Sequence, residues 1–192
     1  MRILIIAHQR SGSTSLARWL SMELNHQCIL EPFNDDKDYW NYDKNKKLDL
    51  SINEKNIVCK CLYIQFPKDF IIEKWSTTFD KIILLKRNNI RDSIISEIKA
   101  NESKNYDGNY TIDGEWIEKN KKIIEERFSV FTEYNDKIDK LNGLHITYEG
   151  IYNTKEDIEK VKKYLEIEKL KYSHFIDKKF RYQNNKNTKE LI

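Results

Sequence analysis

The sequence predicts an α/β domain with three layers, in which a central, mostly parallel sheet is covered by helices on both faces. Residues 3–7 form a short, continuous apolar run, which is typical of a strand buried on both faces, and residues 82–85 form a second such run. Each run is followed by a short polar turn and then by apolar residues at helical spacing. Strands that alternate with helices in this way indicate a parallel sheet with helical connections.

Apolar spacing and residues that start or stop regular structure place the other elements. Hydroxyl residues stand before the first helical pattern and are available to cap it, Pro67 stops the third predicted strand, and Thr154 is placed to cap the last helix. The predicted strands are residues 3–7, 28–30, 56–64, 81–86 and 144–148. The predicted helices are residues 13–24, 69–75, 89–100, 113–140 and 154–165.

Composition indicates a single domain over residues 1–192. Apolar residues make up 39% of the chain, with only 5 glycines and 2 prolines, which argues against a disordered or linker-rich protein. Lysine and arginine total 34 against 31 acidic residues, and this balance argues against a general nucleic-acid binder. The sequence contains no run of roughly 20 apolar residues that could cross a membrane, and its three cysteines form no metal pattern. We therefore expect a cytoplasmic monomer or homodimer without nucleic-acid or membrane partners.

The loop between the first strand and the first helix has the composition of an anion site. A helix that begins directly after a strand presents backbone N–H groups and the positive end of its dipole to this loop. Gly12 lets the backbone approach an anion closely, and Arg10 adds a fixed charge. The hydroxyl donors in the loop are Ser11, Ser13, Thr14 and Ser15. The pattern lacks the first glycine and the lysine of a Walker A loop, so we predict a phosphate or sulfate cradle, with an ordinary capped turn as the alternative.

A second cationic loop follows the strand predicted at residues 81–86. Arg87 ends that strand, and Asn89, Ser93 and Ser96 are spaced four and three apart, so they share one face of the next helix. An arginine and a helix serine directed at one point suit a second phosphate. A surface arginine with two solvent-facing serines is the alternative.

These two loops resemble those of the sulfotransferases that use 3′-phosphoadenosine-5′-phosphosulfate, most of all the carbohydrate-type and bacterial trehalose-type branch. Residues 10–14, Arg-Ser-Gly-Ser-Thr, look like the 5′-phosphosulfate loop of that family. Arg87, followed nine residues later by Ser96, looks like its 3′-phosphate motif.

Weaker similarities extend the resemblance over most of residues 2–170. Residues 60–65 are similar to a family strand that reads K-x-x-x-x-Q, and Glu31 follows the second strand, where related enzymes carry a catalytic carboxylate. Tyr148 and Glu149 are similar to the start of the late Y-E-D-L segment, although the next two residues differ. The R-K-G motif of cytosolic sulfotransferases has no clear counterpart.

The resemblance implies a P-loop NTPase-like sulfotransferase fold. It also implies transfer of a sulfuryl group from 3′-phosphoadenosine-5′-phosphosulfate (PAPS) to a hydroxyl or amine of a small-molecule or carbohydrate acceptor. The product is then 3′,5′-adenosine bisphosphate (PAP), and no metal is needed. The residues implied to bind the donor are Arg10, Ser11, Gly12, Ser13, Thr14, Ser15, Arg87 and Ser96.

The implied catalytic residues are Glu31, Arg10 and Lys60. Glu31 is the candidate general base, which would also contact the acceptor, and Arg10 would stabilise charge on the sulfuryl group. Lys60 is expected to face the sulfuryl group or Glu31, or to reach solvent from a sheet edge. His8 and His26 are rival bases; His8 is alternatively a structural strand-end residue and His26 a helix cap.

Two segments, residues 34–50 and 101–112, are expected to flank the acceptor side of the cleft. Their aromatic residues Tyr39, Trp40 and Tyr106 suit a sugar face or an apolar acceptor, with loop packing as the alternative. The basic tail, residues 175–192, either reaches the cofactor through Lys178, Lys179 and Arg181 or is simply solvated.

Two other classes of protein share some of these features. A P-loop kinase of a small molecule shares the fold but needs a Walker lysine and a carboxylate for Mg²⁺, and neither is evident. A catalytically inactive nucleotide-binding protein would keep both loops and lack the acceptor base.

Overall fold

The computed structural model describes residues 1–34, 53–66, 72–104 and 112–172, and it confirms the α/β architecture with a central sheet between two layers of helices. The strands are β1 (Arg2–Ala7), β2 (Gln27–Leu30), β3 (Ile57–Leu62), β4 (Lys81–Lys86) and β5 (Leu144–Thr147). The helices are α1 (Ser13–Leu24), α2 (Ile72–Ser76), α3 (Ile90–Ser103), α4 (Gly114–Lys119), α5 (Lys121–Asp139), α6 (Tyr148–Tyr152) and α7 (Glu156–Leu165).

The five strands pair in the order β2-β3-β1-β4-β5, and every pair is parallel. In register, Ile5 of β1 lies between Lys60 of β3 and Ile83 of β4. Because all strands run in one direction, their carboxyl ends meet at one edge of the sheet. Ligands of open α/β sheets bind at that edge, where the loops that follow β1, β2, β3 and β4 lie.

The two faces of β1 pack against different helices. Ile3, Ile5 and Ala7 belong to a buried cluster with α1, α6 and α7, whereas Leu4 and Ile6 belong to a cluster with α2 and the end of α5. All five residues are fully buried, which explains why this strand is uniformly apolar and not alternating. A third cluster joins α3 to α5, so these two helices form a pair beside the sheet.

Several element boundaries differ from the prediction. The helix at residues 13–24 and the strand at 81–86 begin and end where predicted, but the long helix predicted at 113–140 is two helices. Asn120 separates them with φ −102° and ψ 7°, and its side-chain amide donates to the Trp116 carbonyl at 2.9 Å. Such local bonding of an asparagine to the backbone competes with helix continuation. The predicted cap at Thr154 is also wrong, since α7 is preceded by Lys155 in a left-handed conformation.

The third strand is shorter than predicted. It ends at Leu62, and Tyr63–Gln65 form a short 3₁₀ turn in which the Leu62 amide donates to the Gln65 side chain at 3.3 Å. This turn directs Gln65 back toward the carboxyl end of β2. In the part of the chain that the structure describes, the helices are too short or too polar to cross a lipid bilayer.

Candidate functional site

The loop from β1 to α1 is built around two residues in the left-handed backbone region. Arg10 has φ 60° and Gly12 has φ 79°, and the loop is tied internally by the buried Ser11 hydroxyl, which donates to the His8 carbonyl at 2.8 Å. Gly12 is the N-cap of α1, and no side chain among the described residues caps that helix. The expected hydroxyl cap is therefore wrong. The first amide groups of α1 face the carboxyl edge of the sheet without a side-chain acceptor, as an anion-binding helix end requires.

Gly12 is also needed for packing. A Cβ atom at this position would lie 2.6 Å from Cε2 of Tyr152 and 3.1 Å from Cδ2 of Tyr148. The Tyr152 hydroxyl donates to the Gly12 carbonyl at 2.7 Å, so the tyrosine holds the loop in place. The glycine thus serves the close approach of two aromatic rings and the left-handed turn together.

The loop after β4 is held by contacts to three other parts of the chain. The Arg87 guanidinium lies 4.5 Å from the centre of the Tyr148 ring, Nη2 donates to Asp92 at 3.3 Å, and Nη1 donates to the Arg10 carbonyl at 3.4 Å. Its Nε is buried and has no hydrogen-bond partner among the described residues. The two terminal nitrogens therefore orient the Arg87 side chain, and its buried Nε is the nitrogen that they leave without a partner in the described part of the chain.

The two cationic loops meet. Nε of Arg10 donates to the Ser96 hydroxyl at 2.9 Å, although the two residues are 86 positions apart. Ser93, one turn earlier on the same face of α3, is completely buried, and its hydroxyl also has no partner among the described residues. The residues predicted for two separate phosphates thus form one continuous site, in which Arg87 and Ser93 carry unpaired buried polar atoms.

The backbone amides at the start of α3 are occupied. Asn88 and Asn89 donate their N–H groups to the two carboxylate oxygens of Glu149, at 3.0 and 3.2 Å. The Asn89 side chain in turn accepts from the Asp92 amide and caps the helix. The Asn88 and Asn89 amides are therefore not available to an anion near Arg87, because Glu149 already occupies them.

A second cluster of polar side chains lies at the carboxyl ends of β2 and β3. Glu31 has φ 53° and its carboxylate forms an ion pair with Lys60, whose side chain is 2% exposed against 12% for Glu31. Gln65 donates to Glu31 Oε2 at 2.7 Å, and Asn34 donates to the same oxygen at 3.1 Å. Of the orientations expected for Lys60, the structure has the one that faces Glu31.

These contacts set the protonation state of Glu31. Burial by itself raises the pKa of this carboxyl, but the charge of Lys60 and the hydrogen bonds from Lys60, Gln65 and Asn34 outweigh burial and hold the pKa below its ordinary value. Glu31 is consequently ionised at neutral pH and surrounded by donors.

The two rival histidines occupy different ends of the molecule. His8 is fully buried at the carboxyl end of β1, and desolvation is the main cause that lowers its pKa, so the ring is neutral. Both of its ring nitrogens have backbone partners, at Gln9 and Arg87. His26 directly precedes β2 and so lies at the amino edge of the sheet, away from both loops.

The remaining predicted residues divide by whether the structure describes them. Ser13, Thr14 and Ser15 form the first turn of α1, with Ser13 buried and the other two half-buried. The acceptor residues Tyr39, Trp40 and Tyr106 lie outside the described residues, as do the tail residues Lys178, Lys179 and Arg181.

Sequence reasoning did not assign site roles to the residues that support the two loops. These are Tyr148, Glu149 and Tyr152, all contributed by α6. Their only signal in the sequence was the similarity of residues 148–149 to a late family segment, which suggested an element but no contacts.

No protein-family model matches the chain. The search of curated proteins likewise finds no match to its sequence. Among solved structures, the chain is similar to the YorR protein of Bacillus subtilis in complex with phosphorylated GDP, at 15% sequence identity and a TM-score of 0.47, over 86% of this chain and 96% of that chain.

Proposed function

We propose that this chain is a sulfotransferase that uses PAPS as its donor and a hydroxyl or amine of a small-molecule or carbohydrate acceptor. The observation that supports this most is the 2.9 Å hydrogen bond from Arg10 to Ser96. It joins the loop after β1 to the loop and helix after β4, so one ligand with two anionic groups can contact both. A nucleotide with a 5′-phosphosulfate and a 3′-phosphate has that character.

The residues present fit such a donor. Buried polar atoms are normally hydrogen-bonded, and here the Nε of Arg87 and the hydroxyl of Ser93 are buried without a partner among the described residues. A phosphate oxygen beside Arg87 would accept a hydrogen bond from its Nε. In this proposal Arg87 and Ser96 hold the 3′-phosphate, while Thr14, Ser15 and the open amides of α1 hold the 5′-phosphate.

When bound, the donor supplies an activated sulfuryl group whose transfer is an in-line displacement. The Arg10 guanidinium stabilises the negative charge that accumulates on the transferring group and on the leaving phosphate. Ser11 and Gly12 keep the loop close to that charge, since one is tied to His8 and the other is locked by Tyr152. Ser13 contributes the first backbone amide of α1.

Glu31 takes the proton from the acceptor hydroxyl or amine in this proposal. Its lowered pKa keeps it ionised at neutral pH, so the carboxylate is in the basic form that the transfer requires. Lys60 is then the residue that positions the carboxylate and balances its charge before the proton is transferred. Replacement of Glu31 by glutamine is expected to abolish turnover and to leave PAP binding in place.

Thermal unfolding with three ligands tests the proposal. PAP at a hundred times its Kd adds about 2.7 kcal/mol of stability, which raises the Tm of a protein of this size by roughly 5–11 °C. We expect a smaller shift with ADP, which lacks the 3′-phosphate. A larger shift with ATP and Mg²⁺ than with PAP would reject the donor and favour a kinase.

A transfer assay then separates an enzyme from an inactive binder. The protein is incubated with PAPS and a panel of sugars, alcohols and amines, and PAP release is measured. We expect acceptor-dependent release by the wild type and none by Glu31→Gln. Selective PAP binding without release on any acceptor would instead favour a catalytically inactive nucleotide-binding protein.

A further inference from the structure

His8 connects the two cationic loops through its imidazole ring. The Arg87 backbone N–H donates to His8 Nε2 at 3.2 Å, and His8 Nδ1 lies 2.7 Å from the Gln9 carbonyl oxygen. Since Nε2 accepts a hydrogen bond, the ring proton is on Nδ1, which donates to Gln9. One neutral tautomer therefore satisfies both contacts and joins the end of β1 to the end of β4.

The ring has little freedom to move. His8 is fully buried, and Phe131 of α5 packs against it edge-on, with ring centroids 5.3 Å apart and an interplanar angle of 64°. The His8 carbonyl accepts from the Ser11 hydroxyl, so the residue is anchored by its backbone as well. A rigid link at this point fixes where the Arg87 backbone sits relative to the loop that contains Arg10.

We infer that His8 is a positioning residue that sets the spacing of the two anion-binding loops, so that a single ligand with two anionic groups engages both. The inference rests on the proposed function. Arg87 is held at its backbone by His8 and at its guanidinium by the Arg10 carbonyl, and the two contacts together align its unpaired Nε. Without the backbone link, the position of Arg87 relative to the other loop depends on its side-chain contacts alone.

Two substitutions separate the roles of the ring nitrogens. Glutamine is long enough to place an acceptor near the position of Nε2, so His8→Gln retains an acceptor for the Arg87 amide. Asparagine reaches only the position of Nδ1, so His8→Asn retains the donor to Gln9 and loses the link to Arg87. His145→Asn is the matched control, because His145 is 41% exposed on β5 and its ring contacts Leu141 and Asp139.

The measurement is the affinity of each variant for PAP and for adenosine 5′-monophosphate, by titration calorimetry. The ratio of the two affinities reports what the 3′-phosphate contributes. In His8→Asn we expect this ratio to fall roughly three- to tenfold, the value of one hydrogen bond, while affinity for the monophosphate changes little. We expect His8→Gln and His145→Asn to keep the wild-type ratio.

The outcomes distinguish the inference from the proposed function. A wild-type ratio near one rejects the proposed function, and the inference falls with it. A high wild-type ratio that His8→Asn leaves unchanged rejects the inference alone. If His8→Asn does not fold, ¹⁵N NMR of the wild-type imidazole decides: an Nδ1–H tautomer that persists when PAP binds supports the inference, and an Nε2–H tautomer overturns it.

Discussion

Gly12 shows how one residue can serve a backbone conformation and a packing contact together. Its φ of 79° disfavours any other residue, and its Cα faces Tyr152 so closely that a Cβ would lie 2.6 Å from that ring. We predict that Gly12→Ala destabilises the protein by about 2–4 kcal/mol, from strain and overpacking together. Urea unfolding measures the change.

Gly114 provides the control for this substitution. It begins α4, and a Cβ added there meets no atom within 4 Å. Gly114→Ala is therefore expected to be neutral or to stabilise the protein by up to about 1 kcal/mol. Equal losses at Gly12 and Gly114 would show that the two tyrosines do not constrain the loop.

The lowered pKa of Glu31 makes the stability of the protein depend on pH in the acidic range. Its folded-state pKa is lowered, so its contribution to stability is fully present above the ordinary carboxyl pKa and is lost as pH falls through the lowered value. Glu31→Gln leaves the buried Lys60 without its charge partner, and we expect it to cost about 2–4 kcal/mol at pH 7. The difference from wild type should shrink as pH falls from the ordinary carboxyl pKa through the lowered one, because the unfolded chain takes up the proton first.

Urea unfolding of both proteins over this pH range measures the difference. Glu159→Gln is the matched control, because Glu159 is 73% exposed and pairs with Lys162 on the surface of α7; its effect should stay within about 0.5 kcal/mol. A loss in Glu31→Gln that is the same at both ends of the pH range would mean that the Glu31 charge does not contribute to folding.

At the scale of elements, the sequence predicts that a helix or strand is present better than it predicts the residues at which that element begins and ends. The strand at residues 81–86 and the helix at 13–24 were predicted in full, because each has a continuous local pattern. The division of the long helical pattern at Asn120 was not predicted, because apolar spacing continues across it and the break depends on one side chain. Local apolar patterns indicate which face of an element is buried, whereas the residues at which the element begins and ends depend on individual hydrogen bonds.

The junction of β5, α6 and α7 depends on one buried carboxylate. Asp157 is 2% exposed and accepts from the Thr147 amide at 2.8 Å and from the Thr147 hydroxyl at 3.1 Å. Thr147 itself accepts from the Gly150 amide and so caps α6. The helix that carries the two tyrosines of the site is thus attached to the sheet through Asp157.

We predict that Asp157→Ala destabilises the protein by about 2–3 kcal/mol, because it leaves the Thr147 amide without its acceptor. Asp157→Asn, which keeps one acceptor oxygen, should cost less. Urea unfolding measures both, and hydrogen exchange should show faster exchange at the Thr147 amide. Glu156→Ala, an exposed change one residue earlier, is the control; a comparable loss there would contradict a specific role for Asp157.

At the scale of the whole molecule, the sequence predicts at which edge of the sheet the candidate site lies, but not which of its residues are in contact. Arg10 and Arg87 each follow a buried apolar strand, and this local signal is enough to place both at the carboxyl edge of a parallel sheet. The contact of Arg10 with Ser96 and the link from His8 to Arg87 join segments about 80 residues apart. No local pattern encodes such contacts, since they depend on the strand order that sets β4 beside β1.

The two arginines of the candidate site are coupled through the backbone of the first loop. Arg87 donates to the Arg10 carbonyl, so removal of Arg87 takes away a ligand contact and also loosens the loop that presents Arg10. We therefore expect Arg10→Ala and Arg87→Ala each to weaken PAP binding by roughly tenfold or more, and the double variant to lose less than the sum, with a coupling energy of about 1 kcal/mol. Titration calorimetry on the four proteins measures the cycle.

Lys122→Ala, which removes one charge from a side chain that is 91% exposed on α5, controls for net charge and should change affinity little. Strict additivity would mean that the two loops bind independently, and the ligand would then engage two sites and not one.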